Sequence, residues 1–92
     1  GFELWKTDGT TNGTLLVKDI NPTNSSSPIA LFDLNDKLIF TASDNINGRE
    51  LWSSDGTSEG TQMYASLVPG YSDGQIFFNV KLNNKVYFKA QT

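Results

Sequence analysis

The ten residues GFELWKTDGT at position 1 return as GRELWSSDGT at position 48. Trp52 stands 47 residues beyond Trp5, and at that spacing Gly1, Glu3, Leu4, Trp5, Asp8, Gly9, Thr10, Gly13, Thr14 and Pro22 all meet identical residues. Further along, LNDKLIF (34–40) meets LNNKVYF (82–88) at a spacing of 48, so one residue has entered the loop between Pro69 and Leu82. The 92 residues divide into two units, 1–47 and 48–92. A repeat of between 40 and 50 residues belongs either to stacked helix pairs or to the blades of a β-propeller.

The content of the unit decides between them. No segment places apolar residues at i, i+3, i+4 and i+7 without a Gly or Pro intruding. Short runs rich in Phe, Tyr, Trp, Ile and Val alternate instead with Asn, Gly, Ser and Thr at strand spacing. Four strands per unit are expected. Strand A covers 28–34 and 75–81, strand B 37–42 and 85–90, strand C 2–7 and 49–54, strand D 14–20 and 61–68. Asn35-Asp36 and Asn83-Asn84 join A to B in tight hairpins, because Asn and Asp tolerate positive φ. DGTTNG and DGTSEG turn C into D.

In chain order the strands run C-D, A-B-C-D, A-B, so the fold class expected is all-β and propeller-type, with four-stranded blades. Two blades do not close a ring, since propellers use about four to eight. The halves at the two ends are complementary, which gives two routes to completion. Copies associate head to tail, as a trimer of six blades or a tetramer of eight, or the chain is a stretch of a longer array.

The repeated ELWKTDGT and ELWSSDGT, each followed by Gly-Thr (Gly13-Thr14, Gly60-Thr61), resemble the ELWxxDGT repeat family, and LVKDINP (16–22) resembles that family's next strand. The resemblance covers nearly the whole chain. It implies a propeller and an extracellular or cell-surface setting, in bacterial proteins of many tandem copies, and it implies no shared activity. The second unit departs from it, with MYASLVP in place of LVKDINP.

Composition narrows the chemistry. A net charge of −3 disfavours nucleic acid and anionic membrane surfaces as partners. No run of 18 apolar residues is present to insert in a bilayer as a helix. Without cysteine there is no disulfide or thiolate site, and without histidine the commonest general base and metal ligand is missing. Ser25–Ser27 have no base to activate them, and neither a phosphate loop nor a dinucleotide fingerprint occurs. The expectation is a binding module without cofactor or metal, not an enzyme.

The candidate ligand-binding residues are Glu3 with Trp5, Glu50 with Trp52, and the loop residues Asn47, Arg49, Tyr71 and Asp73. Alternation puts Glu3 and Trp5 on one strand face. An indole face beside a carboxylate suits a pyranose, which presents C–H groups to the ring and hydroxyls to the acid. The leading expectation is therefore lectin-like carbohydrate binding, repeated around a ring. The alternative is a structural extracellular repeat in which both tryptophans pack between blades and no small ligand binds. Tyr71, between Gly70 and Ser72, is the best placed for exposed stacking. Asp8-x-Thr10-x-Asn12 and Asp55-x-Thr57-x-Glu59 space oxygens as calcium loops do, but lack the closing bidentate Glu, and serve equally as turns.

Overall fold

The computed structural model describes residues 1–46, 48–65 and 77–89. Their regular structure is entirely antiparallel β-sheet, with no helix. The strands are β1 (Leu4–Lys6), β2 (Leu15–Lys18), β3 (Ile29–Leu34), β4 (Lys37–Ser43), β5 (Arg49–Ser54), β6 (Gln62–Ala65), β7 (Phe77–Leu82) and β8 (Lys85–Lys89). β1 and β2 form one hairpin, β3-β4-β5-β6 a four-stranded sheet in chain order, and β7-β8 a second hairpin.

Turn chemistry sets these pairings. Asn35 and Asp36 take φ of 52° and 64°, and Asn83 and Asn84 take 52° and 61°. Two consecutive left-handed residues match the twist of the strands they join. The ladders leaving the two turns are the same: Leu34 faces Lys37 as Leu82 faces Lys85, and Asp33 faces Leu38 as Lys81 faces Val86.

Strand C of the second unit spans Arg49–Ser54 as the sequence suggests, but in the first unit strands C and D are shorter, for one reason. The Phe2 carbonyl accepts from the Ser26 and Ser27 N–H groups, at 3.0 and 3.3 Å, and the Ile20 and Asn21 N–H groups turn to the Glu3 side chain. Backbone groups expected in the β1-β2 ladder are spent instead on the connection from β2 to β3. In the second unit, residues 66–68 of the expected strand D lie outside the described residues.

One face of the four-stranded sheet carries Leu38, Phe40 and Ala42 from β4 opposite Ser54, Trp52 and Glu50 from β5. Phe40 and Trp52 pack with ring centroids 6.4 Å apart. Ile20 and Leu4, from the β1-β2 hairpin, close over this face and complete the core. Two lysines bind the layers at their rim: Lys6 Nζ donates to the Gly56 carbonyl at 2.7 Å and Lys18 Nζ to that of Thr61 at 3.0 Å. Toward β7-β8, the described residues show contact between β3 and β8, an exposed ion pair, Lys81 to Asp33 at 3.6 Å, which contributes little, and an open cavity.

Candidate functional site

The DGTxxGT stretch builds the same loop twice. Asp8 Oδ1 accepts from the Thr10 N–H at 2.9 Å and the Thr10 hydroxyl at 2.6 Å; Asp55 Oδ1 accepts from Thr57 at 2.9 and 2.7 Å. The threonine hydroxyl in turn accepts from the Gly13 or Gly60 N–H, at 2.9 Å in both. A Cβ on Gly13 or Gly60 would collide with the aspartate carboxylate, and Gly9 and Gly56 sit at φ of 93° and 95°. The Thr10 hydroxyl, then its N–H, holds the Asp8 carboxyl below the usual carboxylate range, and Thr57 does the same for Asp55. These carboxylates face their own loops. The spacing that suggested calcium is the spacing of an internally bonded turn.

Glu3 is a clasp. Its Oε1 accepts from the Ile20 N–H at 2.6 Å and the Asn21 N–H at 3.2 Å, and its Oε2 from the Ser26 N–H at 2.8 Å. Asn21, 2% exposed, continues the clasp: its Nδ2 donates to the carbonyls of Ser25 and Ser43, and its Oδ1 accepts from the Asn24 N–H. Sequence reading passed over Asn21 because its partners lie up to 22 residues away. The only local hint is the NP dipeptide, Asn21-Pro22. Arg49 is tied in beside it, with its guanidinium donating to Thr41 Oγ1 and to the Ser27 carbonyl, both at 2.9 Å.

The remaining candidates divide sharply. Glu50 is fully buried and Trp52 is 7% exposed, so neither offers a surface platform. Among the described residues the buried Trp52 indole N–H meets no acceptor, contrary to the usual habit of interior tryptophans, and Ile20, Phe40 and Ala42 pack with the ring. Trp5, its counterpart, is 59% exposed on β1, opposite Leu16 at 43%. Asn47, Tyr71 and Asp73 lie outside the described residues. Of the two Glu–Trp pairs, one is interior. In the other the ring is open to solvent while the carboxylate is engaged by three backbone N–H groups.

Among the described residues, two outward-facing features stand out for unmet packing. One is the Trp5 strand. The other is a cavity of about 520 Å³ between the four-stranded sheet and β7-β8, with Leu51, Tyr64, Val86 and Phe88 in its walls. Comparison with protein-family models, curated proteins and solved structures finds no match to this chain.

Proposed function

We propose that this chain is a non-enzymatic structural repeat: a propeller-type β unit that acts by joining protein to protein through its incomplete sheets, in an extracellular or cell-surface setting. The observation that carries this reading is the fate of the side chains best suited to a sugar. Glu3 accepts three backbone N–H bonds, Arg49 holds a loop carbonyl, and Glu50 and Trp52 are interior. Most of the exposed large apolar side chains among the described residues lie on strands, with Trp5, Leu15 and Leu16 on the first hairpin, Tyr64 on β6, and Val80, Leu82 and Tyr87 on the last. Apolar surface on unfinished sheets favours association over capture of a polar ligand. The strand phase, with two strands, then four, then two, supports blades completed by neighbouring units, and the likeness to the ELWxxDGT repeats supports the same architecture.

Carbohydrate binding is the second reading, favoured by one observation, the open Trp5 ring. A glycan array probed with the assembled protein separates the two. The structural reading expects no saccharide above background. Specific binding that Trp5→Ala abolishes without changing the association state would overturn it in favour of a lectin.

A further inference from the structure

The surroundings of Trp52 exist a second time, without the tryptophan. In the core, Trp52 is packed among Phe40, Leu38 and Leu4. By the repeat spacing, Phe40 corresponds to Phe88, Leu38 to Val86 and Leu4 to Leu51. Phe88, Val86 and Leu51 are brought together as walls of the cavity between the four-stranded sheet and β7-β8, a space of about 520 Å³. Trp5, the counterpart of Trp52, does not line this cavity and stands 59% exposed on β1. Among the described residues no strand lies along the outer edge of β1 or of β8.

We propose that Trp5 of one copy fills this cavity in a second copy of the same chain, with β1 lying antiparallel beside β8 as β5 lies beside β4. The internal sheet supplies the register. Phe40 opposite Trp52 becomes Phe88 opposite Trp5, and Ile39 opposite Ser53 becomes Tyr87 opposite Lys6. The second copy is the occupant because only a segment repeating β5 brings an indole to the same height as the phenyl ring it must meet. A sugar would fill the space without satisfying the β8 edge, and an unrelated extended peptide would pair with that edge without bringing an indole opposite Phe88. The interface is heterologous: each chain offers a tryptophan strand at one end and a socket at the other. This inference rests on the structural-repeat reading and adds to it the partner, the register and the anchoring side chain.

The chain contains no cysteine, so introduced thiols report on this contact alone. Mixing Lys6→Cys with Tyr87→Cys under mild oxidation should give a disulfide-linked heterodimer. Mixing Lys6→Cys with Val86→Cys should not, because Val86 points to the opposite face of the strand. In parallel, Trp5→Ala should weaken self-association by at least about 30-fold, as expected for a buried aromatic anchor, while Trp5→Phe retains part of it. Association that persists in Trp5→Ala, or cross-links equally well in both mixtures, overturns the Trp5 contact and leaves the structural-repeat reading standing. A chain that stays monomeric at every concentration overturns both.

Discussion

A carboxylate at position 3 ties the β2–β3 connection to the start of the chain. Removing it strands three N–H groups in a half-buried site, at a cost of about 1–3 kcal/mol for a single unmet donor and more for several. Glu3→Ala should therefore lose about 3 kcal/mol in denaturant unfolding, and Glu3→Gln less, since the amide oxygen keeps one acceptor. Equal losses would mean that the retained amide oxygen contributes nothing and that the charge or the second oxygen carries the clasp, whereas no loss in Glu3→Gln would mean that both are idle. In the turns, Thr10→Val removes the hydroxyl but leaves the backbone donor. The Asp8 carboxyl should then rise toward the ordinary value near ~4, read by NMR titration of its carboxyl carbon, with Asp55 unmoved. The sign for stability follows. Both aspartates sit below the usual range when folded, so their contribution is complete above the unfolded value and disappears as pH falls through the folded one. The stability gap between Thr10→Val and the parent should therefore be complete above about pH 4 and close as pH falls below it, read by denaturant unfolding across that range.

At the scale of elements, local chemistry was enough to place the strands. Asn35-Asp36 and Asn83-Asn84 fix two hairpins whose left-handed φ values any sequence reader could anticipate. Asp36→Val should accordingly lose about 1–2 kcal/mol, the penalty for a β-branched residue held at φ of 64°; a neutral result would mean that the turn relaxes to another type. Strand C of the second unit was legible at both ends, as Arg49–Ser54, but the ends of strands C and D in the first unit were not. Ile20 and Ser26 meet Glu3 across 17 and 23 residues, and nothing local distinguishes an N–H destined for a ladder from one destined for a carboxylate. The tryptophans show the same limit in sharper form. Trp5 and Trp52 have nearly identical sequence neighbours, yet one is open and the other enclosed. Their difference lies in which sheet stands beside each, a property of tertiary arrangement that a ten-residue motif does not encode.

At the scale of the molecule, the asymmetry between those tryptophans makes a stability contrast. Trp52→Ala excavates the core and should cost about 3–5 kcal/mol. Trp5→Ala, measured at dilution where copies are apart, should change unfolding free energy by less than about 1 kcal/mol, as surface substitutions commonly do. At high concentration the two should converge, because assembly buries Trp5 as folding buries Trp52. Oligomer-linked stability of this kind also predicts a melting temperature that rises with protein concentration.

Sedimentation equilibrium of the 92-residue chain over a wide concentration range bears most directly on whether its sheets are completed by other copies. Head-to-tail completion predicts a concentration-dependent shift from monomer to a closed trimer or tetramer, removed by Trp5→Ala. A single folded species at monomer mass throughout, with Trp5 still open to a soluble quencher, would contradict it.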